Sequence, residues 1–223
     1  MYLSKLSLLS TPNVALELAE LNKNGAYSAH QLLWRLFTHH EKRKFLFRQE
    51  LTPSGSVSFY ILSEEKPIAN EKLFLLQSKK FNPRLYSGQK LGFKLRANPT
   101  ICITNKNGKQ QRHDVMMHAK KQFESSGVKG EDLNKVVTQA AQSWLANQKR
   151  LEGWGISLEF LPDIEAYTQH KSKKKNGHHI EFSSVDFQGV LSVEEPEKFL
   201  LQYLQGFGRS KAFGCGLMLI RAV

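Results

Sequence analysis

At 223 residues and 25.5 kDa, the chain has room for one large domain or two of about 100 residues each. Lys and Arg total 32 against 20 acidic residues, a net charge of +12 with a pI near 9.7, and this excess points to a polyanionic partner. Two distant cysteines, Cys102 and Cys215, exclude a disulfide framework, Met1 to Ser10 is too short and polar for a signal peptide, and no apolar run approaches the roughly 18 residues of a membrane span, so a basic-surfaced cytoplasmic protein is expected.

In chain order, Tyr2 to Leu9 alternates as a strand does, and Asn22 to Gly25 signals a turn. Ser28 reads as an N-cap for a helix over Ala29 to Phe37, where Leu32, Leu33, Leu36 and Phe37 fall on one face. Lys44 to Leu51 and Ser56 to Leu62 are strand-like around the tight loop Thr52-Pro53-Ser54-Gly55. Pro67 to Glu71 suggests a short helix, and Leu73 to Gln77 a strand. Beyond it, Leu91 to Arg96 and Ile101 to Thr104 form an extended stretch. Glu131 to Leu151 predicts a long helix whose apolar face includes Leu133, Val137, Ala141, Trp144 and Leu145. Ile156 to Phe160 and Ile180 to Val193 read as strands, Glu195 to Leu204 as a helix, and Ala212 to Ile220 as a closing strand. Two passes through the same βαββαβ order predict an α+β fold of two tandem ferredoxin-like, RRM-like domains, 1–84 and 89–223, joined near Phe81 to Gly88. The sheet face of that fold is a platform for RNA.

Three segments carry candidate chemistry. Gly206 to Leu217 holds four glycines within eleven residues, so backbone N–H groups there can cradle phosphates, with Gly208, Arg209, Ser210 and Lys211 as the contacts. It lacks the strand–loop–helix order and the Gly-Lys-Ser/Thr ending of a nucleotide loop. The alternative is a glycine-rich connector with incidental charges. Tyr27 and His30 stand three apart at a helix start, which puts them on one face. A histidine exchanges a proton near neutrality, a tyrosine hydroxyl can orient a nearby 2′-OH, and Arg35 further along is a candidate to offset developing charge. A lone histidine at a helix start also serves as a purely structural residue. The third segment, His170 to His179, packs Lys171, Lys173, Lys174 and Lys175 before the hairpin dipeptide Asn176-Gly177. It reads as a basic hairpin that grips phosphates, or as a solvated loop. Trp34, Phe37 and Trp144 read as core. The remaining histidines, His39, His40, His113 and His118, show no metal-ligand spacing, and no paired carboxylates stand out, so no metal or cofactor is expected.

Four stretches together resemble one family. They are Met1-Tyr2-Leu3-Ser4-Lys5; Tyr27-x-x-His30-Gln31-x-x-Trp34-x-Leu36-Phe37; Phe93-x-Leu95-Arg96-Ala97-Asn98-Pro99; and Gly206-x-Gly208-x-x-Lys211-x-x-Gly214-Cys215-Gly216-Leu217. The chain is similar, end to end, to the CasE family of CRISPR repeat endoribonucleases of the type I-E Cascade complex. The resemblance implies two tandem ferredoxin-like domains and binding of the repeat hairpin in precursor RNA. It implies a metal-independent cut at the hairpin's 3′ base, a 2′,3′-cyclic phosphate end, and retention of the product with other Cascade subunits. His30 and Tyr27 match the family's catalytic histidine and tyrosine. The lysine-rich hairpin matches the stem-gripping region by location and charge, Arg96 lies in the shared Leu-Arg-Ala-Asn-Pro run, and Arg35 is a weaker match. A monomer is expected for the isolated chain. The competing readings are a non-catalytic structured-RNA-binding subunit and a ribosomal or other basic scaffold.

Overall fold

The first sheet opens on a strand of period-two burial in the computed structural model, which describes residues 1–9, 11–37, 43–52, 55–105, 107–126, 133–174 and 177–223. In β1 (Tyr2–Leu8), Ser4 and Leu6 are buried while their neighbours are partly open. Leu6 lies opposite Phe59 of β3 (Val57–Ser63) and Leu76 of β4 (Phe74–Lys80). With β2 (Phe45–Leu51) the antiparallel order is β2-β3-β1-β4, the ferredoxin-like arrangement. Helix α1 (Ala15–Trp34) covers one face, and Ala29, Leu32, Leu33 and the following Leu36 pack into a core with Leu6, Phe47, Phe59 and Ile61.

Two expectations change in this half. The helix begins near Ala15, not at Ala29, and is interrupted at Gly25 (φ 47°, ψ −122°), inside the stretch read as a turn. No helix forms over Pro67 to Glu71. Asn70 folds that segment instead: its side chain accepts from the Lys72 N–H, and its carbonyl from the N–H groups of Leu73 and Phe74. Such a side-chain turn competes with helix, and Pro67 has no N–H to give. Pro53 and Ser54 of the predicted tight loop lie outside the described residues.

The second sheet runs β11-β5-β10-β8, from β5 (Lys90–Ala97), β8 (Ile156–Leu158), β10 (His179–Val193) and β11 (Met218–Ala222). Between β5 and β8 come a hairpin of β6 (Thr100–Thr104) and β7 (Gln110–Asp114), then α2 (Val115–Ser126), α3 (Leu133–Leu145) and α4 (Gln148–Trp154). Strand β9 (Asp163–Lys173) pairs with β10, and α5 (Pro196–Gln205) precedes β11. Without the β6–β7 hairpin and β9, the order is again βαββαβ. The core includes Leu95, Val185, Phe187, Phe199 and Phe207, and the buried Tyr203 hydroxyl donates to the Met218 carbonyl.

The predicted helix Glu131 to Leu151 is two helices. Asn147 is extended, and its side chain caps α4 by accepting the Arg150 N–H; Glu131 lies outside the described residues. The predicted strand Ala212 to Ile220 is a 3-10 turn, Lys211–Phe213, followed by β11. Positive φ at Ser210, Gly214 and Gly216 breaks the pleat. Helix α2 had no counterpart among the predicted elements. By contacts the chain divides into two units: Met1–Arg84 with Gln169–Glu181 and Ser210–Leu217, and Leu85–Thr168 with Phe182–Arg209 and Met218–Val223.

Candidate active site and nucleic-acid interface

The groups around His30 belong to the first unit. After the break at Gly25, α1 carries Tyr27 and His30, both half-buried and three residues apart. The His30 ring sits among three aromatic rings. Trp34, one turn on, is 5.5 Å away; Phe45, at the head of β2, is 6.4 Å away and nearly parallel; Phe213, from the 3-10 turn, is 6.1 Å away and edge-on. Its buried Nδ1 has no hydrogen-bond partner among the described residues. Ring packing, rather than a hydrogen bond at Nδ1, orients the imidazole.

Arg43 is the cation whose charge acts on His30. Its guanidinium donates to the Phe45 carbonyl and lies 5.9 Å over the Phe45 ring. Burial, and then the Arg43 charge, hold His30 below its ordinary value of 6.5, which favours the neutral ring. Lys211, at the start of the 3-10 turn, is also pulled down by burial and by Arg43. Arg43 thus links an imidazole and a second cation in one partly desolvated corner, an arrangement suited to an anion beside a proton acceptor.

The glycine-rich loop shapes this corner. Ser210 adopts a left-handed φ of 53°, and its carbonyl accepts the Phe213 N–H at 2.8 Å. Gly214 (φ 86°) follows, and a Cβ there would stand 3.2 Å from the Phe47 ring. That close approach seats Phe213 toward His30.

The predicted site residues divide. Tyr27, His30, Ser210 and Lys211 lie in the first unit, as do Lys171, Lys173 and Lys174 of the hairpin. These three lysines are exposed; Lys171 is 3.8 Å from Glu181, and the Lys174 N–H donates to the His178 carbonyl at 2.8 Å. Lys175 and Asn176 lie outside the described residues, as do His39 and His40. Arg35, which caps the end of α1, pairs at 2.6 Å with Glu17 of that helix's first turn. Arg96, Gly208 and Arg209 belong to the second unit. There Arg96 makes a two-pronged pair with Asp186, at 2.9 and 2.8 Å. Gly208 sits under the Trp144 indole, and Arg209 is exposed. Arg43, Phe45 and Phe213 escaped sequence reasoning. Nothing in their spacing links them to His30, and Trp34, read as core, is a wall of the site. Among the described residues no group of three His, Cys, Asp or Glu converges as a metal site, and no helix is long and apolar enough to cross a membrane.

Residues 1–222 match the model of a family described as CRISPR associated protein. A curated relative, the CRISPR system Cascade subunit CasE of Escherichia coli strain K12, is 28% identical over 197 residues, covering 86% of this chain and 89% of the relative. A structure of Cse3 from Thermus thermophilus, bound to an RNA representing a pre-cleavage complex, is 25% identical with a TM-score of 0.71, covering 99% of this chain and 98% of that one. The CRISPR endoribonuclease Cse3 bound to a 19-nucleotide RNA shares the fold, at 24% identity and a TM-score of 0.72 over 99% of this chain and 100% of that one.

Proposed function

Because the chain belongs to the CRISPR-associated protein family, we propose that it is an RNA endonuclease that binds the repeat hairpin of CRISPR precursor RNA, cuts at the hairpin's 3′ base and keeps the product as a Cascade subunit. The observation that carries the reading is His30, an imidazole held in an aromatic box, with Arg43 acting on it and on Lys211.

RNA brings its own nucleophile. The 2′-OH attacks the adjacent phosphorus, a 2′-O–P bond forms, and the bond from phosphorus to the 5′-oxygen breaks. The products are a 2′,3′-cyclic phosphate and a 5′-hydroxyl, with no metal needed to generate the attacking group. His30, whose lowered pKa favours the accepting form, takes the 2′ proton, Tyr27 on the same helix face orients the hydroxyl, and the departing 5′-oxygen takes up a proton from water. Arg43 and Lys211 offset the charge that builds on the phosphorane oxygens. The exposed lysines of the β9–β10 hairpin hold the RNA stem through its phosphates. Binding the hairpin in one pose presents one phosphodiester for in-line attack.

The test is cleavage of candidate repeat hairpins in EDTA, with the new ends mapped. The wild type is expected to leave a cyclic phosphate, and His30→Ala to abolish the cut while hairpin affinity stays nearly unchanged. A requirement for Mg²⁺, or a cut that persists in His30→Ala, would sink the mechanism. Tight binding with no cut by the wild type would favour a non-catalytic RNA-capping subunit.

A further inference from the structure

The sharpest contact outside the His30 box lies at the break in α1. Lys173 ends β9, whose partner is β10, and its backbone meets a side chain on the other side. The Lys173 N–H donates to Asn24 Oδ1 at 2.8 Å, and Asn24 Nδ2 donates to the Lys173 carbonyl at 2.8 Å. An asparagine side chain has the donor and acceptor of a peptide unit, so Asn24 pairs with the strand edge as another strand would. A third bond closes the contact: Ser172 Oγ donates to the Asn24 carbonyl at 3.0 Å. The break at Gly25 matters here, because in an unbroken helix that carbonyl would serve the helical ladder.

The contact sets which way the hairpin faces. Side chains alternate along a strand, so Lys171 and Lys173 share one side and Ser172 the other. Ser172 is buried, and the two lysines are exposed. A slip of one residue would turn both cations inward and Ser172 outward. Asn24 stands only six positions before His30 on α1, so the clamp ties the basic strand to the element that carries the proton acceptor.

We infer that Asn24 is a positioning residue: it clamps the basic hairpin at Ser172-Lys173 onto the helix break, so that a phosphodiester held by the lysines is presented to Tyr27 and His30. The inference rests on the endonuclease reading above. Asn24 touches no substrate; it acts through the backbone of Lys173.

The test uses the full-length chain in single-turnover cleavage, with affinity measured on a hairpin made uncleavable by a 2′-deoxy substitution at the cut. Asn24→Ala is expected to slow cleavage by about tenfold or more, because small displacements of a reacting group carry losses of that order, while affinity changes by less than about threefold, since the lysine charges remain. Amide exchange at Lys173 should accelerate, and exchange at Leu32 and Leu33 in the helix should not. In a Lys171→Ala/Lys173→Ala background, Asn24→Ala should add little further loss, since there is no longer a cation to place. Asn24→Asp keeps the acceptor and loses the donor, so it should fall between wild type and Asn24→Ala; it and Ser172→Ala carry the test if Asn24→Ala folds poorly. An unchanged rate, an equal loss in the lysine-depleted background, or unchanged Lys173 exchange overturns the inference and leaves the endonuclease reading standing. A wild type that cuts no repeat hairpin sinks that reading, and this inference with it.

Discussion

Replacing Gly214 with alanine tests whether the glycine-rich loop is built for close approach. Gly214 has φ 86°, in the left-handed region, where an added Cβ costs about 1–2 kcal/mol. The new methyl would stand 3.2, 3.6 and 3.7 Å from three carbons of the Phe47 ring. Phe47 is 1% exposed, and its ring is wedged between Phe45 at 6.3 Å and Phe59 at 6.4 Å, so it has little room to retreat. Overpacking of a filled core adds about 1–3 kcal/mol. Alanine also restricts the unfolded chain, an offset of about 0.4–1 kcal/mol. The net expectation is a loss of about 2–3 kcal/mol, read as a lower urea midpoint with an unchanged slope. Gly55→Ala is the control, since Gly55 has a similar φ of 79° but nothing within 4 Å of its Cβ, so only the backbone cost applies. Because Phe213 precedes Gly214 and packs on His30, folded Gly214→Ala protein should also cleave more slowly. If the two variants lose equal stability, the contact with Phe47 contributes nothing and the reasoning is refuted.

Cleavage should rise with pH along a limb set by His30, whose accepting form requires loss of its proton. Burial and then Arg43 lower that pKa, so the limb should lie below 6.5 and the rate should level off by neutrality; among the described residues the charge that acts on the ring is Arg43, which also acts on Lys211 of the Phe213 turn. Arg43→Gln removes the second cause and should move the limb up toward 6.5, costing the variant most at acidic pH; a limb that stays in place in a pH–rate profile of both proteins would refute the assignment. In the second unit, Arg96→Ala removes both prongs of the pair with Asp186, whose side chain is only 10% exposed, and should cost about 3 kcal/mol in urea unfolding. An Arg96→Met/Asp186→Leu double variant should recover most of that loss, and failure to recover would show that the cost is not the uncompensated charge.

Much of the fold was legible because burial imprints period two on strands such as β1 and β5, and a 3.6-residue period on the stretch Ala29 to Leu36. The misses have local causes. The first half of α1 mixes Glu17, Glu20, Asn22, Lys23 and Asn24 among its leucines, which blurs the stripe. In α2, Lys120, Lys121 and Gln122 do the same; its one clear start signal was Asp114, which accepts the Met117 N–H at 2.7 Å and so caps the helix. Asn147 split a helix that periodicity alone would have continued.

The site divides along the same line between local and distant information. Tyr27 and His30 were readable because a helix places residues three apart on one face. Arg35 seemed a natural companion by nearness along the chain, yet its partner is Glu17. The cations of this corner, Arg43 and Lys211, come from the approach to β2 and from a loop near the C-terminus. Only the folded chain brings those together. The glycine-rich loop therefore has a different part from a bare phosphate cradle. Its positive-φ residues let it lie close to Phe47, and this places one aromatic wall and one cation where His30 can use them. A motif conspicuous for its glycines thus acts through Lys211 and Phe213, the two side chains those glycines hold in place.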